Sequence, residues 1–208
     1  MSSLYRRDDS FCCHILVSMP RWESDAQGRL ERAALELFET QGFERTTVAQ
    51  IARTAGLTER SFYRYFPDKR EVLFAGNELE AHLAARVEAA DPGLTPIEAL
   101  LTALGTADEV FQSREFLLRR VKVIAASPAL AERDLIKLAD IAEALVRALE
   151  HRGVEPGGAR FIIDVAIAVS RRATSRWLAD PDATLSELVA QTAAELREAV
   201  APPTPTGG

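Results

Sequence analysis

The stretch from Thr46 to Lys69 reads TTVAQIARTAGLTERSFYRYFPDK, and it predicts two short helices joined by a glycine turn. Thr47 followed by Gln50 is a capping box, so the first helix should begin at Thr47. Gly56 can take the left-handed conformation that ends a helix, and Thr58 is a favourable N-cap for the second. Two helices of about eight residues around such a turn form a helix-turn-helix motif.

The second helix of this stretch separates an inward side from a polar outward side. Phe62 and Phe66 fall four residues apart and should face the interior. Between Arg53 and Arg70 five basic residues stand against two acidic ones. Such a face suits the major groove, where polar side chains reach base edges and tyrosine hydroxyls reach phosphates. The candidate contacts are Glu59, Arg60, Ser61, Tyr63, Arg64 and Tyr65. The alternative is the solvated face of an unrelated helical bundle.

Helical spacing of apolar residues continues on both sides of the motif, which predicts an all-α fold. Ser24 and Gln27 cap a first helix that braces the motif. Asp68 and Glu71 cap the next helix, which should run without interruption to about Ala90 and form a rigid connection between two domains. Further helices are predicted over Thr95–Phe111, Arg114–Ala126, Pro128–Arg152, Gly157–Ala179 and Thr184–Val200.

The 208 residues are 47% hydrophobic, and no apolar run approaches the roughly 20 residues of a membrane helix. The only two cysteines, Cys12 and Cys13, indicate a reducing cytoplasm rather than a disulfide framework. With His14 they make an incomplete metal site, so neither a metal nor a cofactor is expected. The net charge of −6 falls entirely on residues 76–208, because residues 20–75 carry nine charges of each sign. A neutral N-terminal part joined to an acidic C-terminal part is consistent with a protein that binds DNA at one end only.

These features divide the chain into four segments. Residues 1–20 should form a poorly ordered tail, or an extension ahead of a true start at Met19. Residues 21–67 are the predicted DNA-binding domain, and residues 68–200 the ligand-binding and dimerisation domain. Residues 201–208 are rich in proline, glycine and threonine and should be disordered.

The N-terminal third resembles the DNA-binding domain of TetR-family transcriptional regulators. The resemblance covers about Asp25 to Phe74 and lies in a helix ending in Gly42-Phe43, in TTVAQIARTAG, and in SFYRYFPDKREVLF. It implies base contacts by Glu59, Arg60, Ser61 and Arg64, and phosphate contacts by Thr46, Thr47, Tyr63, Tyr65 and Lys69. Residues 59–61 are a variable part of the family pattern, so the operator sequence is not inherited.

The same resemblance implies a small-molecule effector in the second domain. Candidate pocket residues are His82, Leu83, Arg86, Leu101, Phe111, Phe116, Leu117, Arg120, Ile124, Leu145 and Phe161. For each apolar member, the pattern favours ordinary core over a place in a pocket. Arg120 lies on an apolar face, where a charge needs a partner: it either bridges to a carboxylate such as Asp108 or Glu143, or anchors an anionic ligand. His82 with Arg86 is either a polar group in a pocket or a structural pair.

The helix from Arg160 to Leu178 is apolar on nearly all sides, which indicates burial within its own subunit and against another. Asp164 inside it should pair with Arg160 four residues earlier. With the last helix it forms the predicted dimer face, where the family usually pairs. The last helix contributes Leu185, Leu188, Val189 and Leu196.

Together these features predict a homodimeric, effector-controlled regulator, a repressor that releases a palindromic operator when its effector binds. Two recognition helices about 34 Å apart would read such a site. One alternative is a helical adaptor whose outward face binds protein. The other is an all-α enzyme, but His14, His82 and His151 are scattered and no catalytic arrangement is visible.

Overall fold

A computed structural model describes residues 21–74 and 78–201, so the predicted N-terminal tail with its cysteine pair, and residues 202–208 of the predicted C-terminal tail, lie outside the described residues. The helices are α1 (Arg21–Gln41), α2 (Val48–Thr54), α3 (Glu59–Tyr65), α4 (Glu78–Glu88), α5 (Pro96–Leu104), α6 (Arg114–Ala125), α7 (Pro128–His151), α8 (Pro156–Ala179) and α9 (Leu185–Val200). Two 3₁₀ turns cover Glu71–Leu73 and Ala107–Glu109. The described ranges contain helices and no strand, which confirms the all-α fold. No helix in them is long and apolar enough to cross a membrane.

The first hydrophobic cluster surrounds α3. Phe62 and Phe66 are almost completely buried there, packed with residues of α1 and α2 such as Leu30 and Ile51. The cluster also takes in Val123, Ile124 and Leu130, which come from the end of α6 and the start of α7. The helix-turn-helix therefore shares one core with two helices of the rest of the chain, and its orientation depends on them.

The second cluster lies among α4, α5, α7, α8 and α9. Its fully buried members include Val87, Leu100, Leu149, Ile163 and Leu185. Helix α4 packs mainly on α7, and α8 packs mainly on α9. Because α6 and α7 reach both clusters, they join the bundle to the helix-turn-helix.

The predicted uninterrupted helix from Asp68 to Ala90 is wrong. Asp68 does cap the segment, since its Oδ1 accepts hydrogen bonds from the backbone N–H of Arg70 at 2.7 Å and of Glu71 at 3.3 Å. The chain then forms the 3₁₀ turn at Glu71–Leu73, and the next described helix is α4, from Glu78. Three consecutive side chains, from Val72 to Phe74, are buried in the first cluster. Phe74, with φ −121° and ψ 6°, no longer has helical backbone angles, which allows a third adjacent side chain to enter the cluster.

Two helix boundaries also differ from the prediction. Helix α1 already includes Arg21, so Ser24 lies inside it and is not its N-cap. Helix α5 ends at Leu104 rather than near Phe111. At the next residue, Gly105, an added Cβ would come within 3.1 Å of the Cα of Ser186. This close approach of the α9 start requires a glycine there, and the chain turns away directly after it.

Candidate nucleic-acid interface

Local hydrogen bonds fix the geometry of α2, the turn and α3. The capping box is confirmed: Gln50 N–H donates to Thr47 Oγ1 at 3.2 Å, and Thr47 N–H donates to Gln50 Oε1 at 2.8 Å. Gly56 has a φ of 68°, and the following residue donates its N–H back to the Ala52 carbonyl at 2.8 Å. Thr58 then caps α3 by accepting the Ser61 N–H at 3.1 Å. Both ends of the turn are thus held by predicted residues.

Helix α3 presents the polar face that the sequence predicts. Phe62 is fully buried, with its ring 5.2 Å from that of Phe66. On the other side Tyr63 is 55% exposed, and Glu59 and Arg60 are exposed beside it. A short helix that is anchored by two aromatic rings can enter a groove without losing its support.

Two of the predicted contact residues are already ordered by their neighbours. The Arg64 guanidinium donates to the Tyr65 hydroxyl at 2.6 Å and lies 4.8 Å from the centre of that ring. The Ser61 hydroxyl is 3.0 Å from that of Thr58. These interactions hold polar atoms along one edge of α3, which reduces the entropic cost of binding a ligand there.

Thr46 and Lys69 are placed differently from the phosphate contacts that the family resemblance implies. Thr46 is 1% exposed, and its hydroxyl donates to the Gly42 carbonyl at 2.8 Å. Lys69 Nζ donates to the carbonyls of Phe43 at 2.7 Å and Thr46 at 2.8 Å, and burial lowers the pKa of Lys69. Both side chains brace the loop before α2 from inside. Thr47, which the family resemblance also assigns to a phosphate contact, is exposed.

Four side chains of the bundle contact α1 and the 3₁₀ turn behind α3, and sequence reasoning missed all of these contacts. Arg119 donates to Glu39 at 2.6 Å, Gln112 donates to the buried carboxylate of Glu31, and Arg133 pairs with Glu71 through two hydrogen bonds, one of 2.9 Å. Burial raises the pKa of Glu31, whereas the Glu71 carboxylate raises the pKa of Arg133. The partners in these four contacts lie 47 to 81 residues apart, so no local spacing signals them.

Arg120 makes the fourth contact. From its place on an apolar face, the sequence left two roles open for it, an ion-pair bridge or an anchor for a ligand. It donates to the Leu73 carbonyl at 2.8 Å and lies 3.6 Å from a carboxylate oxygen of Asp134. Its guanidinium also stands 5.0 Å from the centre of the Phe74 ring. Arg120 is therefore a bridge, but to the turn after α3 rather than to Asp108 or Glu143. Burial lowers its pKa.

The predicted pocket residues do not gather around one cavity. Leu83 and Leu145 lie in the bundle core, with Leu101 and Leu117 at its edge, whereas Phe116 and Ile124 pack in the first cluster. Phe111 packs on Trp177, and Phe161 is 69% exposed. His82 Nε2 is 2.9 Å from the Thr106 hydroxyl, and Arg86 pairs with Glu109 at 2.5 Å, so both are structural.

The residues predicted for the dimer face divide into buried and exposed ones. Leu185, Leu188 and Val189 are buried within their own chain, while Leu196 is exposed. The predicted pair of Asp164 with Arg160 is wrong, because Arg160 binds Glu143 on α7 instead. No group of three potential metal ligands is found within the described ranges.

Comparison with known proteins agrees with this geometry. Residues 31–75 match the family described as bacterial regulatory proteins, tetR family. The HTH-type transcriptional regulator TcmR of Streptomyces glaucescens is 31% identical over 175 residues, which cover 77% of this chain and 76% of TcmR. The chain belongs to the TetR family. As a TetR-family protein it is a DNA-binding transcriptional regulator and not an enzyme.

Two solved structures share the TetR-family fold. SmeT in complex with triclosan superposes with a TM-score of 0.54 at 20% identity, over 88% of this chain and 98% of SmeT. NalD, the secondary repressor of the MexAB-OprM multidrug efflux pump in Pseudomonas aeruginosa, gives a TM-score of 0.55 at 20% identity, over 85% of this chain and 96% of NalD. At this identity the likeness establishes the helical architecture.

Proposed function

We propose that this TetR-family protein is a cytoplasmic homodimeric repressor that leaves a palindromic operator when a small effector binds its helical bundle. Residues 21–67 bind DNA in this proposal, and residues 68–200 bind the effector and the second subunit. The observation that carries it is the exposed polar face of α3, capped by Thr58 and anchored by two buried aromatic rings.

On the DNA, α3 lies in the major groove with Glu59, Arg60, Ser61 and Arg64 at base edges. Arginine can donate two hydrogen bonds to guanine, and this is the commonest specific contact of its kind. Thr47, Tyr63 and Tyr65 are placed to hold phosphates. Lys69 assists by fixing the loop that carries Thr47, since it binds two carbonyls of that loop.

The effector site is assigned to the bundle as a whole and not to the scattered pocket candidates. SmeT, which shares the fold, was solved in complex with triclosan, and this supports a small, largely apolar molecule as effector. NalD, which also shares the fold, is a repressor, and this supports repression rather than activation of transcription.

In this proposal, the effect of effector binding is transmitted from the bundle to the helix-turn-helix through α6 and α7. These helices hold Glu39, Glu71 and the Leu73 carbonyl next to α3, so a shift of either helix moves the recognition unit. An effector that prefers the shifted arrangement lowers DNA affinity, and couplings of about 1–3 kcal/mol are typical. The 3₁₀ turn at Glu71–Leu73 and the non-helical Phe74 take the place of the start of the uninterrupted helical lever expected from the sequence.

The direct test is binding to the DNA that flanks its own gene, measured by fluorescence anisotropy at several salt concentrations. A complex with a palindromic site that weakens steeply with salt is expected. A reporter fused to that site should be transcribed less when the protein is present, and small apolar compounds should restore it. Absence of a salt-sensitive complex with any palindrome there contradicts the proposal, and binding without a fall in transcription removes the repressor role.

A further inference from the structure

The loop before α2, residues 42–47, has a buried side and an exposed side. Phe43 packs edge-on against Phe38, with the ring centres 5.2 Å apart, and Thr46 is almost fully buried. Lys69 Nζ stands 4.0 Å from the centre of the Phe43 ring and donates to two carbonyls of the loop. The exposed side chains of the loop are Glu44, Arg45 and Thr47. The loop is therefore fixed from inside while these three side chains face outward.

The end of α1 orients the side chain of Arg45. Its Nε donates to the carbonyl of Gln41 at 2.6 Å. Gln41 is the last residue of α1, and the carbonyls at a helix end lack partners within the helix. The Gln41 side-chain amide also donates to the Thr46 hydroxyl at 3.1 Å and to Gln50 Oε1 at 3.2 Å. Because Gln50 closes the capping box with Thr47, one residue connects Arg45 to the N-cap of α2.

Capping of α1 uses only part of what Arg45 offers. A guanidinium has several N–H donors, and the bond to Gln41 takes one of them. Among the described residues Arg45 has no carboxylate partner. The neighbouring acid, Glu44, acts instead on Lys69, where its charge opposes the lowering of the Lys69 pKa by burial. The remaining donors of Arg45 and its positive charge thus stay on the outer surface of the loop.

We propose that the Arg45 guanidinium binds a phosphate of the DNA backbone beside the phosphate held by Thr47. This contact rests on the proposed function and adds a residue that neither the motif nor the family resemblance assigns. In a helix-turn-helix the first helix crosses the DNA backbone while the second enters the major groove. Helix α2 is that first helix, and Arg45 lies three residues before its first residue, Val48. Arginine suits this place because it can donate two parallel N–H bonds to phosphate oxygens.

Arg45 supplies on the outer side of the loop the cation that Lys69 provides on the inner side. The Lys69 ammonium group is engaged with loop carbonyls, so it supports the loop from within. The bond to Gln41 already restricts the Arg45 side chain, which lowers the entropic cost of binding a phosphate. Phosphate contacts fix the orientation of a protein on the duplex. Arg45 is therefore expected to help set the angle at which α3 enters the groove.

The test measures binding to two labelled duplexes, one with the DNA that flanks the gene and one of random sequence. Arg45→Ala should weaken both complexes by about fivefold, because a phosphate contact does not depend on base sequence. The slope of log affinity against log salt should fall by about one for each subunit. Fluorescence anisotropy at several salt concentrations gives both quantities. Arg147→Ala, at an exposed arginine of α7, is the matched control and should leave both unchanged.

A second variant separates the phosphate contact from the capping of α1. Arg45→Lys keeps the positive charge but lacks the Nε donor that binds Gln41. Lysine binds phosphate as a point charge, so this variant should keep the salt slope of the wild type. A loss of slope in Arg45→Lys as large as that in Arg45→Ala would assign Arg45 to the capping of α1 alone and overturn the inference.

The outcomes also separate this contact from the proposed function. Wild-type protein that binds neither duplex overturns both. A salt-sensitive wild-type complex whose affinity and slope are the same in Arg45→Ala overturns the contact and leaves DNA binding by α3 standing. An effect of Arg45→Ala on the flanking DNA but not on the random duplex would make Arg45 a reader of bases and overturn the phosphate contact. A slope that falls in Arg45→Ala and is kept in Arg45→Lys and Arg147→Ala supports it.

Discussion

The exposed faces of α3 and α8 both carry arginines, but they are prepared for different partners. On α3, Arg64 donates to the hydroxyl of Tyr65, a neutral group, and Arg60 has no carboxylate partner among the described residues. On α8, Arg160 is paired with Glu143, and Arg172 and Arg176 share one carboxylate, that of Glu195.

This difference teaches what each face can bind. Positive charge that no carboxylate compensates, such as that of Arg60, remains available to a polyanion such as DNA. The arginines of α8 that are paired with carboxylates attract a polyanion less strongly than Arg60 does.

The largest expected effect is the loss of stability when an aromatic ring that anchors α3 is removed. Phe62→Ala removes a fully buried ring and should lower the free energy of unfolding by about 3–5 kcal/mol. Its neighbour Tyr63 is mostly exposed, so Tyr63→Ala should change stability by less than about 1 kcal/mol and weaken DNA binding in a folded protein. Urea unfolding and operator binding measure the two quantities. Equal destabilisation by both would show that α3 is oriented differently.

The next effect removes the charge of the α3 face. The double change Arg60→Ala/Arg64→Ala should weaken operator binding by about 100-fold, because one base-contacting arginine contributes about 1–3 kcal/mol. The slope of affinity against salt should also fall by about one for each phosphate that the protein no longer neutralises. Arg147→Ala on the bundle is the matched control. Operator affinity and a salt slope that both stay unchanged in the double variant would assign DNA binding to another surface.

A smaller effect concerns the ion pair that joins the bundle to the turn behind α3. The side chains of Arg133 and Glu71 are mostly buried, so Arg133→Ala and Glu71→Gln should each lower the free energy of unfolding by roughly 1–3 kcal/mol. Their double variant should be destabilised by less than the sum of the two. The half-exposed pair of Arg86 and Glu109 is the comparison, where Glu109→Gln should cost less than about 1 kcal/mol. A double-mutant cycle that is additive contradicts the coupling.

The smallest effect is a pH dependence from Glu31. Burial raises the folded-state pKa of Glu31 above its ordinary value of 4.5; hydrogen bonds from Gln27 and Gln112 and the charge of Arg32 oppose this rise, and the charge of Glu78 adds to it. The folded state then holds the proton more tightly, so this group's contribution to stability is greatest below pH 4.5 and falls as the pH rises through 4.5 to the folded pKa. The difference in unfolding free energy between wild type and Glu31→Gln should shift in favour of the variant over this range. A difference that is constant with pH would refute this.

Sequence patterns predicted the recognition unit almost residue by residue, since each of its features is local. A cap, a glycine and the residues they bond lie within five positions of one another, as with Thr47 and Gln50 or Gly56 and Arg53. The helices of the bundle were likewise placed by their apolar spacing and their proline or glycine boundaries. The resemblance to the TetR family, confirmed by comparison, came from the same stretch.

Errors arose where the outcome depended on distant residues. The helix predicted from Asp68 fails at Glu71–Leu73, where the adjacent side chains of Val72 to Phe74 enter one cluster, and α5 ends at Leu104, next to the close approach of Gly105 and Ser186. Arg120 binds the Leu73 carbonyl and Arg160 binds Glu143, and neither is the partner that the sequence spacing suggested. The pocket candidates separated into two cores, since periodicity tells which side of a helix is apolar but not what it packs against.

The amino-acid sequence by itself determined the helices, the caps, the left-handed turn and the outward polar face of α3, because hydrogen bonds between near neighbours favour these conformations in any context. The tertiary structure alone decided which charges are compensated. Thr46 and Lys69 form hydrogen bonds with backbone carbonyls of the loop before α2, and Arg133 forms an ion pair with Glu71. Asp164 and Arg171 have no partner among the described residues. Coulomb interactions depend on distance in space, and only the folded chain sets the distance between residues far apart in sequence.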